Sequence, residues 1–130
     1  EGAARGRAGV AVLGRVPARA VRQGVGPAEF EGAGRWVEAD YAITGLKSGL
    51  LTAISAYVHT GEAGTPRQDE KHRFLDAARA RLDTLRGEGR AVVLTGDLNV
   101  AHREADLKNW KGNLTKALNG KHVGTIIYKS

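Results

Sequence analysis

One stretch of this chain alternates cleanly. Over 35–42, Trp36, Glu38 and Asp40 take turns with Val37, Ala39 and Tyr41, the period of a half-buried strand. A more continuous apolar run follows from Leu50 to Val58, which predicts a strand covered on both faces. Gly45 to Gly49 separate the two as a turn, so together they predict a hairpin. Upstream, Val10, Ala11, Val12 and Leu13 predict a short strand over Gly9–Leu13, broken by Gly14 and Pro17. The glycine-rich stretch from Arg19 to Gly34 reads as loop or irregular edge.

The period changes at Thr65. Thr65 as N-cap, Pro66 at the first helical position and Gln68 three residues on predict a helix opening with a capping box. Phe74, Leu75, Ala78, Leu82 and Leu85 form its apolar stripe, and Asp69, Arg73, Asp76 and Arg79 its solvated face. Gly87 supplies a left-handed stop. Ala91 to Thr95 then predict a short central strand, which runs directly into Gly96-Asp97-Leu98-Asn99. From Ala101 to Asn113 the chain reads as polar loop with one helical turn. Val123, Thr125, Ile126, Ile127 and Tyr128 suit a strand within Lys121–Lys129, its partner left open. Strand, hairpin, helix, buried strand is an order that predicts α/β layers.

Composition narrows the chemistry. With 130 residues, 42% hydrophobic and 26% charged, the chain has the make-up of one globular domain. No apolar run approaches the ~18 residues of a membrane helix, and no signal segment opens the chain, so no membrane partner is expected. Because it starts at Glu1 rather than Met, it is expected to begin inside a longer protein. The absence of cysteine excludes disulfides, thiolate zinc sites and cysteine nucleophiles, and fits a cytoplasmic location. Any metal must be held by Asp, Glu, Asn or His, and oxygen ligands favour Mg²⁺, Ca²⁺ or Mn²⁺. The formal net charge is +6, and after Asp106 there are five lysines and no acid, a surface suited to a polyanion such as nucleic acid.

Two places carry candidate chemistry. Asp97 and Asn99 stand two apart at a strand end, where an extended chain would turn both toward one cleft. A carboxylate and an amide there could orient a metal-bound water, and the carboxylate could take a proton as that water attacks phosphorus. Gly-Asp-x-Asn equally suits a plain turn. Tyr57, ending the apolar run, could donate to a phosphate oxygen, or could be an interfacial core tyrosine. The histidines His59, His72, His102 and His122 form no metal-binding pair by spacing.

Taken together, Tyr57-Val58-x-x-Gly61, a helix, a short apolar strand and Gly96-Asp97-Leu98-Asn99-Val100-Ala101-His102 resemble the exonuclease III / AP endonuclease family. Glu104-Ala105-Asp106-Leu107-Lys108-Asn109-Trp110-Lys111-Gly112-Asn113 and the upstream Gly34-Arg35-Trp36-Val37-Glu38 resemble it too. The resemblance implies a four-layer α/β sandwich, two packed mixed sheets flanked by helices. It implies a Mg²⁺- or Mn²⁺-dependent phosphodiesterase acting on double-stranded DNA, cutting 5′ of abasic sites and trimming 3′ ends. Asp97 matches the aspartate that positions or deprotonates the attacking water, Asn99 the asparagine that holds that water or the scissile phosphate, and Tyr57 the tyrosine that contacts the phosphate. Asp97 and Asn99 are also the metal candidates.

The departures are specific. The family draws an asparagine and a glutamate from its first strands and an Asp-His pair from near its C-terminus; nothing before Gly6 supplies the former, and the chain has no Asp-His dipeptide. Residues 1–113 are therefore expected to form a partial domain and 114–130 a tail of a different kind, with the packing layer over Leu50–Val58 missing. Lys108, Asn109, Trp110 and Lys111 are candidate DNA-backbone contacts, and Arg67, Lys71 and Arg73 candidates for the same role from the helix. Two other functions fit the same residues: a non-catalytic nucleic-acid-binding fragment, and another phosphodiesterase of the same fold.

Overall fold

A computed structural model describes residues 9–62, 64–101, 105, 111 and 126–127. They fall into two compact units. One runs to Tyr57 and resumes over Phe74–Asp97; the other holds Val58–Arg73 and the described residues from Leu98 on.

The first unit is built on a four-stranded mixed sheet in the order β1 (Ala20–Gln23), β2 (Trp36–Ala42), β3 (Leu50–Tyr57), β4 (Ala91–Asp97). β2 and β3 are the expected hairpin, antiparallel from Trp36↔Ala56 to Ala42↔Leu50. Its turn closes with the Ile43 amide on the Gly49 carbonyl at 2.9 Å, and Gly45 and Gly49 take the positive φ that the reversal needs. β3 and β4 are parallel, which requires a long crossover, supplied by helix α1 (Pro66–Gly87). The protein is thus mixed α/β.

The alternation in β2 is present, but its buried side is the charged one. Trp36, Glu38 and Asp40 are all buried, and Ala39 with them. Burial of two carboxylates requires partners, and arginines from β1, α1 and the connection before β4 provide them. Glu38 accepts from Arg22 at 2.7 Å, from Arg81 Nε and Nη2 at 2.8 Å each and from the Trp36 indole at 3.0 Å. Asp40 is gripped by both Arg22 terminal nitrogens and by Arg90, each at 2.7 Å, and takes the Thr52 hydroxyl at 2.8 Å. This explains β1, which lies in the stretch expected to be loop: Ala20-Val21-Arg22-Gln23 has little strand pattern, but its register delivers Arg22 opposite Glu38.

Val10–Leu13, expected as a strand, forms none; it makes no ladder, and Leu13 is 92% exposed. β4 is an edge of the sheet among the described residues rather than a central strand. β3 is not covered on both faces: Thr52, Ile54 and Ala56 are buried, while Leu51, Ala53, Ser55 and Tyr57 are half-exposed. The buried face meets the Phe74–Gly87 part of α1, where Phe74 packs edge-on against Phe30 (5.2 Å) and Trp36 (6.4 Å) and where Leu85 is fully buried.

The ends of α1 differ from expectation in detail. The Thr65 hydroxyl donates to the Glu62 carbonyl at 2.7 Å and the Gln68 side-chain amide meets His72 at 3.1 Å, so the two side chains do not form the reciprocal box. At the other end Gly87 is still helical. The stop is Gly89 (φ 73): its amide bonds the Arg86 carbonyl at 2.9 Å and the Arg90 amide bonds the Leu85 carbonyl at 3.3 Å, the paired pattern of a Schellman cap. In the second unit, β5 (Val100–Ala101) pairs in parallel with β6 (Ile126–Ile127), which answers what the late apolar stretch pairs with. Among the described residues no helix is long and apolar enough to cross a membrane.

Candidate active site

Tyr57 and Asp97 come together through strand register alone. They are Cα partners at the carboxyl ends of β3 and β4, the last residues of two adjacent parallel strands. Neighbouring strands lie about 4.8 Å apart, so a phenol and a carboxylate start from adjacent positions on one edge. Both belong to the less buried side of the sheet: Tyr57 is half-exposed and Asp97 exposed. The carboxyl ends of parallel strands are where α/β proteins place ligands.

Gly96 makes this pairing possible. It sits opposite Ala56 with φ 128, and a Cβ there would run into the Ala56 carbonyl. Only glycine lets the two backbones close up immediately before Asp97.

Asn99 belongs to the second unit. Its φ is 47, the left-handed region, and it is the one non-glycine residue with positive φ among those described. The extended alternation that would turn Asp97 and Asn99 to one side therefore stops before Asn99. Tertiary hydrogen bonds set its side chain instead. Asn99 Nδ2 donates to the Val58 carbonyl at 2.8 Å. Because a carbonyl can only accept, the amide orientation is fixed, with Oδ1, the acceptor, on the other branch. The Asn99 carbonyl in turn accepts from Lys71 Nζ at 2.7 Å.

Lys71 was a candidate DNA-backbone contact from the helix. It is fully buried, and its ammonium serves the chain itself. Sequence reasoning missed this role; the available signal was spacing, since Lys71, Phe74, Ala78 and Leu85 share one helical face. Arg67 is exposed and donates to the Thr60 carbonyl at 3.0 Å. His59 is buried, with Nε2 3.2 Å from Glu70 Oε1 but without hydrogen-bond geometry for either ring nitrogen. Lys111 is exposed, while Lys108, Asn109, Trp110 and His102 lie outside the described residues.

The electrostatics of the first unit are dominated by the arginine–carboxylate network. Burial alone would raise Glu38, but hydrogen bonds from Arg81, Trp36 and Arg22 outweigh it and hold the carboxyl at about 2. The Arg22 hydrogen bonds hold Asp40 well below the usual carboxylate range, with Thr52 and Arg90 adding to them against burial. Asp40 in return raises Arg22.

For a divalent cation, the described residues offer little. No group of three or more His, Asp or Glu is placed to hold a metal among them. Asp97 is one carboxylate and Asn99 Oδ1 one amide oxygen, short of a self-sufficient set for an ion that takes six oxygens.

Residues 1–125 match the endonuclease/exonuclease/phosphatase family. The chain belongs to that family. It is 37% identical over 112 residues to the DNA repair nuclease APEX1 of Danio rerio, an alignment covering 86% of this chain and 34% of that protein. It is 29% identical over 113 residues to an exodeoxyribonuclease of Bacillus subtilis (strain 168), covering 87% and 42%. To recombination repair protein 1 of Drosophila melanogaster it is 31% identical over 115 residues, covering 86% and 15%. The chain thus spans less than half the length of these relatives.

Proposed function

We propose that this chain is part of a DNA-repair phosphodiesterase of the exonuclease III / AP endonuclease type, which cleaves duplex DNA 5′ of abasic sites and trims 3′ ends. The observation that carries the reading is the register of Tyr57 and Asp97 at the ends of adjacent parallel strands, within a family whose relatives are named as DNA-repair nucleases. In this reading Asp97 takes a proton from water as its oxygen bonds to phosphorus, and the phosphorus–oxygen bond to the leaving strand breaks as that oxygen gains a proton. The Tyr57 phenol donates to a non-bridging phosphate oxygen, where charge builds up. Asn99 accepts a hydrogen bond from the attacking water through Oδ1.

The reading extends to Lys111 and to features outside the described residues. Lys108, Asn109, Trp110 and Lys111 bind the DNA backbone. Mg²⁺ or Mn²⁺ is the cofactor, which supplies charge neutralisation at the phosphate when bound; Asp97 and Asn99 would give it two oxygens, and water, phosphate or residues elsewhere the rest. The four-layer sandwich would be completed over the open face of β3 and β4, residues 1–113 forming the partial domain and 114–130 a tail. The working compartment is the cytoplasm.

The test is cleavage of a duplex carrying one abasic-site analogue, with Mg²⁺ and with EDTA, beside Asp97→Ala. Nicking 5′ of the lesion that needs Mg²⁺ and disappears in Asp97→Ala is the expected result. A folded chain that binds the duplex without nicking it would reduce the reading to DNA binding.

A further inference from the structure

The second unit contains a small cluster that ties two loops to the start of α1. Arg67 donates to the Thr60 carbonyl, Asn99 Nδ2 to the Val58 carbonyl and Lys71 Nζ to the Asn99 carbonyl, at 3.0, 2.8 and 2.7 Å. Gly61, also buried, packs close enough that a Cβ on it would lie 3.3 Å from Lys71 Cδ.

Lys71 is the unexpected member. Its side chain has no exposure at all. A buried ammonium is costly unless its protons find acceptors. As packing, the position asks only for the aliphatic stem, which methionine would provide without a charge. What lysine adds is the donor at the tip, and that donor reaches the carbonyl of Asn99, whose left-handed φ of 47 is uncommon for a residue with a Cβ. Such conformations persist where surrounding bonds over-determine them. Here one bond holds the residue's carbonyl and another its side chain.

We infer that Lys71 is a positioning residue for Asn99: its ammonium fixes the Asn99 backbone in the left-handed conformation from which Nδ2 clamps the Val58 carbonyl. This rests on the reading of Asn99 as a residue of the phosphodiesterase site. Lys71 acts through Asn99 and not through the substrate.

Isotopically labelled full chain and two variants, Lys71→Met and Lys71→Arg, test it. In the unmodified chain a coupling through the hydrogen bond, between Lys71 Nζ and the Asn99 carbonyl carbon, is expected; its absence overturns the inference whether or not the variants fold. In Lys71→Met the Asn99 side-chain amide protons should exchange with solvent about tenfold faster or more, and the Val100 amide signal should move. Cleavage of the abasic duplex should lose about 10- to 100-fold in kcat with KM nearly unchanged, as for other supporting-shell losses, and Lys71→Arg should restore part of it. Unaltered Asn99 signals in a folded Lys71→Met chain overturn the inference, as does a kcat equal to that of the unmodified chain. If the unmodified chain cuts nothing, the reading of the function fails by itself, and the amide exchange still decides whether Lys71 positions Asn99.

Discussion

Gly96 and Gly61 both have close neighbours, yet they differ in what they tolerate. Gly96 has φ 128 and faces a backbone carbonyl that cannot move without breaking the β3–β4 ladder. Gly96→Ala is expected to cost about 3 kcal/mol, from backbone strain and overpacking together, measured as a shift of the urea midpoint. A Cβ on Gly61 would meet only the end of the Gln68 side chain and the Lys71 stem. Gly61→Ala should cost under about 1 kcal/mol in the same assay. For the chemistry, Tyr57→Phe keeps the ring and removes the donor; kcat on the abasic duplex should fall about a hundredfold while the urea midpoint stays put. The motif glycine was legible in the sequence, but its close approach to Ala56 was not, because it exists only once two strands 40 residues apart in sequence stand in register.

At the level of elements, the helix end offers a paired experiment. Gly89 occupies the left-handed cap position, while Gly87 is an ordinary helical residue with nothing within 4 Å of where a Cβ would go. Gly89→Ala should destabilise by about 1 kcal/mol and Gly87→Ala should stabilise by about 0.5 kcal/mol, both read from thermal unfolding. The sequence at the helix end offers two glycines, Gly87 and Gly89; which one reverses the chain depends on where the last intrahelical bond forms. β2 teaches the same lesson for burial. Its alternation fixed which residues share a face but not which face goes inside, because arginines from β1, α1 and the connection before β4 neutralise Glu38 and Asp40.

Across the molecule, that network sets the response to acid. Glu38 and Asp40 both have folded pKa values below their ordinary ones, so each contributes stability that is fully present above its unfolded value and is lost as pH falls through its folded one, for Glu38 between 4.5 and about 2. The urea midpoint should hold steady down to that upper value and then decline. Glu38→Gln should lower stability by about 3 kcal/mol at neutral pH, since it leaves two arginines short of a buried partner, and should flatten the acid limb of the curve. The two faces of the sheet should also respond differently. Ile54, 1% exposed, should cost about 3 kcal/mol when cut to alanine. Val93, 48% exposed on the open face, should accept threonine at a cost within about 0.5 kcal/mol.

The sequence by itself determined the local features: the hairpin from its alternation and glycine turn, the helix from its N-terminal signals and stripe, and the family from Tyr57 and the Gly96–His102 string. These depend on residues close together along the chain, where spacing and propensity act directly. Only the tertiary structure decided that β1 exists, that Leu50–Tyr57 is buried on one side only, that Gly89 rather than Gly87 ends the helix, and that Lys71 turns inward to Asn99. Each of those outcomes depends on a partner brought from a distant part of the chain, and a charge becomes a core residue only where such a partner meets it.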